Sequence, residues 1–131
     1  MNGAFFVCPK CQAVSLSIGD CIDFEPDSRS DDITLQLVAC SRCGFEAVAL
    51  YEESRRGSLD SEASFHTGYF VSRATLTSIQ DAIKVCPSPR DGSCKCEWHT
   101  LLGARDSRGA WDGLHRLGID SAQRFDMTPA G

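Results

Sequence analysis

The arrangement of the cysteines constrains this chain more than any other feature of its sequence. Eight of the 131 residues are cysteine, and four of them form two C-x2-C pairs: C-P-K-C, with Cys8 and Cys11, and C-S-R-C-G, with Cys40 and Cys43. A two-residue spacer lets one tight turn present both sulfurs to the same ion, and four thiolates suit a tetrahedral zinc about 2.3 Å from each sulfur. The spacing therefore predicts a Zn²⁺ site with these four ligands.

The sequence around the two pairs has the alternation of β-strands. Apolar and polar residues alternate through 12–18, 21–25, 32–40 and 44–51, which predicts half-buried strands. The polar stretch 26–32 predicts a turn or loop between them.

Two C-x2-C pairs on such sequence resemble the zinc ribbon family, over roughly residues 4–51. The resemblance implies an antiparallel β ribbon in which each pair sits on a turn at the end of a hairpin. Gly44 follows the second pair, where a glycine suits the turn. Gln12 stands at the matching place after the first pair, and the 28 residues between the pairs are more than compact ribbons have. The resemblance specifies metal binding and leaves the biological role open.

Redox chemistry is the alternative interpretation of the first pair, because C-P-x-C also occurs in thioredoxin-like active sites. There the motif begins a helix inside a βαβ unit. Here strand-like sequence follows it, and a second pair lies downstream. A structural zinc is therefore favoured, although four thiolates also suit iron.

A second cluster lies in C-P-S-P-R-D-G-S-C-K-C-E-W-H, where Cys86, Cys94, Cys96 and His99 fall within fourteen residues. Three thiolates and one imidazole form a ligand set that is typical of a closed structural zinc. We therefore expect a second Zn²⁺. The alternatives are a buried thiol at Cys86, a surface histidine, a disulfide, and an open three-cysteine catalytic site with Glu97 as its acid.

Three further candidates are left out of both ligand sets. Cys21 lies in a strand-like run and is expected to be a buried thiol, with a reactive or ligating role as the alternative. His66 lies among aromatic residues and is expected to be a hydrogen-bonded core or surface residue, with ligation in place of or beside His99 as the alternative. His115 is expected to face solvent.

The second half of the chain predicts helices. Leu76, Ile79 and Ile83 have helical spacing within 72–86, and a shorter helix is predicted within 107–118. The fold class is therefore a small α+β protein: an antiparallel zinc ribbon followed by a helix and a zinc-stabilised loop. Its predicted parts, which we expect to pack as one domain, are a ribbon, a polar connector and a helical part, at 1–51, 52–64 and 65–131.

Charge favours a basic protein partner over nucleic acid. The net charge is −5, and residues 20–62 carry a local balance of −7. A duplex-binding domain usually has a basic face. We expect a cytoplasmic protein without membrane association, because no segment has the composition of a signal peptide or membrane span. Its oligomeric state is left open.

The predicted function is therefore a zinc-binding, non-catalytic interaction or regulatory protein, whose acidic face includes Asp23 and Glu25. A solvated, charged edge strand is the alternative interpretation of these two residues. A nucleic-acid-binding ribbon is the second candidate function; its phosphate contacts and stacking residues would be Arg42, Arg55, Arg56, Tyr69, Phe70, Trp98 and Trp111. The third is a small zinc metalloenzyme with an open site of three cysteines. The sequence contains neither HExxH nor the H-x-E deaminase motif.

Overall fold

The computed structural model describes residues 5–54 and 63–129. In this part of the chain six strands form one antiparallel sheet, and their order in the sheet is their order in the sequence. The strands are β1 (Phe6–Val7), β2 (Val14–Phe24), β3 (Asp32–Cys40), β4 (Glu46–Ser54), β5 (Ala63–Tyr69) and β6 (Arg124–Asp126). With its few helices, this confirms a small α+β fold.

One face of the sheet packs against the helix predicted at 72–86. Helix α1 (Arg73–Val85) begins after Ser72, whose hydroxyl accepts the N–H of Thr75 at 3.1 Å. Its apolar residues contact a core that includes Leu35 and Val48. Side chains buried this completely each contribute about 1.5–3 kcal/mol. This packing fixes the end of α1, and therefore Cys86, relative to the sheet.

The opposite face of the sheet holds a second, smaller core. Phe6, Leu16, Val38 and Met127 are among its members, so it joins the first strand to the chain beyond β6. The N–H of Val7 donates to the carbonyl of Thr128 at 2.9 Å, and a bridge pairs residues 6 and 129. The two outer strands are thereby connected, and the sheet is curled.

Strand β2 is a single strand where the sequence predicts two runs. Its register against β3 shifts between Ile18 and Cys21, so the interruption at Gly19 and Asp20 is a β-bulge. The bulge explains why alternation is lost there without ending the strand.

The sequence did not predict β6. It pairs with the last residues of β5, and the ring of Phe125 lies on Gly68. A Cβ atom at position 68 would come within 2.3 Å of that ring. A side chain at position 68 would therefore force the Phe125 ring to move.

The C-terminal helices differ from the prediction. The helix predicted over 107–118 is only α3 (Gly113–Arg116), which Trp111 precedes. Trp111 is held by its indole N–H, which donates to the carbonyl of Leu102 at 2.8 Å, and by its backbone N–H, which donates to the Asp27 carboxylate at 2.6 Å. These tertiary bonds override local helix propensity.

The connector predicted over 52–64 lies mainly outside the described residues, which omit 55–62. Its two ends, 52–54 and 63–64, belong to β4 and β5, which pair with each other. The division into 1–51 and 65–131 stays a prediction, while strands from both ranges share one sheet. None of the helices in the described ranges has the length and apolarity that a membrane crossing requires.

Candidate metal centres

The structure brings the eight predicted ligands together in two groups of four. Within each group the ligand atoms lie within 4.8 Å of one another. The groups are Cys8, Cys11, Cys40 and Cys43, and Cys86, Cys94, Cys96 and His99. Sulfurs bound about 2.3 Å from a tetrahedral zinc lie about 3.8 Å apart. The shortest recorded sulfur separations are 3.7 Å in the first group and 3.5 and 3.8 Å in the second, so both groups have the size of a tetrahedral metal site.

The first group is built by two turns of the same kind. In one turn the N–H of Gln12 donates to the carbonyl of Cys8 at 2.9 Å; in the other the N–H of Gly44 donates to the carbonyl of Cys40 at 3.1 Å. Gly44 has φ +80° and Gln12 has φ 67°. Gln12 therefore adopts the left-handed conformation that glycine takes in the second turn. Its side-chain amide donates to the carbonyl of Pro9 at 3.1 Å.

Hydrogen bonds within the first group favour a thiolate at Cys40. The hydroxyl of Ser15 lies 2.9 Å from Cys40 Sγ, and the backbone N–H groups of Arg42 and Cys43 each donate to this sulfur at 3.3 Å. The Ser15 bond, with these N–H groups, lowers the pKa of Cys40 to about 6 against the opposing effect of burial. Metal ligation requires the thiolate, so these bonds preorganise the site.

The second group is assembled from two helix ends. Cys86 is the C-cap of α1, and Cys96 is the N-cap of α2 (Glu97–Leu102), where its sulfur accepts the N–H of His99 at 3.4 Å. The Nδ1 atom of His99 lies 3.2 Å from Cys86 Sγ and 3.4 Å from Cys96 Sγ. Nδ1 is therefore the nitrogen that faces a metal. The sequence predicts that His99 is a ligand that follows the loop. It does not predict the helix α2 in which His99 lies.

Two thiols of the second group have opposite shifts in acidity. Burial raises the pKa of Cys86 to about 11. Burial also opposes ionisation of Cys96, but hydrogen bonds from the backbone and side chain of His99 outweigh it, and the pKa of Cys96 is lowered to about 6. The hydrogen bonds from His99 thus favour, at Cys96, the thiolate that metal ligation requires.

Asp23, in β2, connects the second group to the sheet. Its carbonyl accepts from Nε2 of His99 at 2.9 Å, and its N–H donates to the carbonyl of Pro89 at 2.8 Å. Its carboxylate accepts from Nε of Arg90 at 2.8 Å and from the Thr34 hydroxyl. A bond from the outer nitrogen of a ligating histidine fixes its tautomer and ring orientation. Only a surface role is predicted for Asp23 from the sequence, because no pattern relates position 23 to position 99.

The residues left out of the ligand sets lie outside both groups. Cys21 is buried beside the β-bulge, where its thiol donates to the carbonyl of Gly19 at 3.6 Å and burial raises its pKa. His66 Nε2 lies 2.6 Å from Oε1 of Gln36, and burial lowers the pKa of His66. His115 is exposed, as predicted.

A polar cavity of about 680 Å³ lies between the strands and the segment that follows α1. It is lined by six carboxylates, from Asp23, Glu25, Asp31, Asp32, Glu53 and Asp91, and by the guanidinium of Arg90. Asp32 and Glu53 are direct cross-strand neighbours. Five acidic residues of the range 20–62, together with Asp91, thus line one concave surface beside the second metal group.

Comparison of the chain with known protein families, with curated proteins and with solved structures found no match. The resemblance to a zinc ribbon is therefore one of ligand pattern.

Proposed function

We propose that both groups bind Zn²⁺ and that both ions are structural. Four protein ligands at tetrahedral separations are the observation that supports this, because catalytic zinc sites usually keep one position for water. The zinc ribbon expected at residues 4–51 is part of this proposal. A set of three cysteines and one histidine favours zinc over an iron–sulfur cluster at the second group.

Elemental analysis tests the proposal. The purified protein is expected to contain two zinc ions per chain, and a Cys94→Ser/Cys96→Ser variant one. A Cys21→Ser variant is the control, because Cys21 lies outside both groups, and it is expected to keep both ions. One zinc per chain in both the wild type and the Cys94→Ser/Cys96→Ser variant would contradict the second site, and iron with visible absorption would contradict the choice of metal.

We further propose that the protein is a non-catalytic interaction module whose acidic cavity binds a basic segment of a protein partner. The supporting observation is the concentration of carboxylates in one concave surface. The negative electrostatic potential of such a surface steers a cationic partner towards it and fixes the partner's orientation. The proposed setting is the cytoplasm, where cysteines are kept reduced for metal binding.

Binding of a decalysine peptide tests this surface. An Asp32→Asn/Glu53→Gln variant removes two negative charges from the cavity and is expected to weaken binding about tenfold. The control is Asp81→Asn/Asp126→Asn, which removes two exposed carboxylates elsewhere and should retain most of the affinity. Equal weakening by both variants would show a response to net charge alone, and the cavity would not be the binding surface.

Single-stranded nucleic acid is the second candidate ligand, and one observation favours it. The rings of Phe45, Phe70 and Phe125 lie 4.8–6.0 Å apart beside the second C-x2-C turn, where Arg42 is exposed. Phe70 is 43% exposed and could stack on a base.

The other predicted contacts for nucleic acid receive less support. Tyr69 and Trp111 are buried, and Trp98 packs against the core. Arg55 and Arg56 lie outside the described residues. Retention on immobilised oligo(dT) that falls steeply with salt and is reduced by Phe70→Ala would favour this ligand.

A metalloenzyme with an open three-cysteine site is the third candidate. It would require His99 to leave the second group. A His99→Ala variant that gains hydrolytic activity while keeping its zinc would support it.

A further inference from the structure

The segment that joins two ligands of the second group, Cys86 and Cys96, and contains a third, Cys94, has almost no buried apolar side chain of its own. From Pro87 to Lys95, all described, no residue is buried. Internal bonds shape its turn: the carboxylate of Asp91 accepts from the N–H and hydroxyl of Ser93 at 3.0 and 2.7 Å. Such local bonds set a conformation without fixing the segment to the rest of the molecule. Segments with few buried contacts open at low free-energy cost unless something else holds them.

The segment is held against β2 by polar contacts that converge on Asp23. The carbonyl of Pro89, the guanidinium of Arg90 and the imidazole of His99 all bond to this residue. Gly92 lies so close to β2 that a Cβ atom there would be 2.8 Å from the carbonyl carbon of Phe24. This close approach leaves no room for a side chain at position 92 between the segment and β2.

The same segment forms one wall of the acidic cavity. Arg90, Asp91, Gly92 and Ser93 line it opposite residues of β3 and β4. If the segment leaves β2, the cavity loses this wall, and with it the guanidinium group of Arg90.

We propose that metal binding at the second group regulates the acidic cavity, by docking residues 87–95 on β2 through the bond between His99 and Asp23. The role of the cavity as a binding surface rests on the proposed function; the docking itself does not. Nδ1 of His99 faces the sulfur of Cys86 while Nε2 donates to the Asp23 carbonyl, so one imidazole would link a bound ion to the strand.

The coupling is local to the second group. Cys40, a ligand of the first group, pairs with Leu16 in the half of β2 that is distant from Asp23. Asp23 lies seven positions further along the strand, about 23 Å away at the usual rise. Linkage is reciprocal, so a ligand that binds the closed cavity raises metal affinity at the second group by the factor with which the metal raises ligand affinity. The first group is expected not to respond.

Amide hydrogen exchange in the zinc-loaded protein tests the docking directly. A His99→Cys variant keeps four ligands but loses the imidazole donor to Asp23. We expect it to retain two zinc ions, while exchange of the Asp23 amide rises about tenfold or more, as loss of one buried bond predicts. Ser15→Ala is the matched control, because it removes a hydrogen bond to a ligand of the first group and should leave Asp23 exchange unchanged.

The Cys94→Ser/Cys96→Ser variant provides a second measurement should His99→Cys fail to fold. We expect fast exchange at Asp23 with the amides of β3 still protected. Unchanged exchange at Asp23 after loss of the second ion would overturn the proposal. So would loss of protection throughout β3, since the ion would then support the whole fold rather than the docking of one segment.

Decalysine binding separates this inference from the proposed function. Metal-dependent exchange at Asp23 together with metal-dependent peptide binding supports both. Metal-dependent exchange without peptide binding to the wild type supports the docking and contradicts the binding surface. Peptide binding that is equal with and without the second ion overturns the regulation of the cavity.

Discussion

The two metal groups use similar ligands in different structural settings. The first lies where strands of the sheet meet at two tight turns, and Cys8 and Cys40 belong to the smaller core. The second joins two helix ends through an exposed segment and reaches the sheet through polar bonds to Asp23. A metal in the first setting supports the sheet itself, whereas a metal in the second positions a surface. Ligand identity alone does not distinguish these roles; the elements that carry the ligands do.

Removing one ligand from each group is expected to give the largest contrast. Cys40→Ser should abolish the first ion and unfold the chain at ambient temperature, because structural zinc contributes about 10–16 kcal/mol and Cys40 also lies in the core. Cys94→Ser should lose the second ion and retain the sheet. Zinc content with far-ultraviolet circular dichroism measures both. A folded Cys40→Ser protein beside an unfolded Cys94→Ser protein would reverse the comparison.

The carboxylate of Asp27 holds Trp111, in the C-terminal half of the chain, by a hydrogen bond that involves neither metal group. This buried carboxylate accepts the N–H groups of Trp111, Arg29 and Ser30 at 2.6–2.8 Å. Asp27→Ala is expected to lower the free energy of unfolding by about 2–3 kcal/mol at neutral pH, because buried donors lose their acceptor. Denaturant unfolding of the zinc-loaded proteins measures the difference.

The effect of Asp27 should depend on pH. Burial raises its pKa, but the bonds from Trp111, Arg29 and Ser30 outweigh burial and lower it below the ordinary value. A carboxylate whose pKa is lowered by folding makes its full contribution to stability at a pH above its unfolded-state pKa, about 3.9. This contribution is lost as the pH falls through the folded-state pKa. The difference between wild type and Asp27→Ala should therefore be constant near pH 6–7 and shrink below about pH 4. A difference that grows on acidification would contradict this assignment.

Gly92→Ala tests whether the close approach of the segment to β2 affects metal binding at the second group alone. The added Cβ would lie 2.8–2.9 Å from the carbonyl of Phe24, and overpacking of this kind costs about 1–3 kcal/mol. We expect faster zinc release to a chelator from the second group and unchanged release from the first. Ser88→Ala, at an exposed position of the same segment, is the control for a change of side chain without the clash. Equal release from both groups would contradict the separation of the two settings.

The smallest expected effect lies at the first group. Gln12→Gly should raise the free energy of unfolding by about 0.5–1 kcal/mol, because glycine adopts the left-handed conformation without a Cβ penalty. Gly44→Ala is the converse change and should lower it by a similar amount. Thermal unfolding at fixed zinc concentration measures both. Destabilisation by Gln12→Gly would mean that the bond from Gln12 to Pro9 outweighs the backbone strain.

The sequence could predict what local pattern determines. Alternation identified β2, β3 and β4, and the helical spacing of Leu76, Ile79 and Ile83 identified α1. Spacing and ligand chemistry identified the two groups of four that the structure brings together.

Features that depend on distant contacts could not be predicted. In the short strand β6, the ring of Phe125 packs on Gly68, which has no side chain and lies more than fifty residues earlier in the sequence. The bond from His99 to Asp23 spans 76 positions. A helix is predicted at Trp111 because local propensity contains no information about the Asp27 carboxylate. In each case the missing information is a partner, not a preference of the residue itself.

The contact between Gly68 and Phe125 also has an evolutionary consequence. Because a side chain at 68 would occupy the space of the ring at 125, the two positions are not free to mutate independently. A descendant with alanine at 68 should carry a small residue at 125. Since that ring also contacts Phe45 and Phe70, the compensating change should extend to both. These four positions are therefore expected to covary as a set in any lineage that keeps β6 on the sheet.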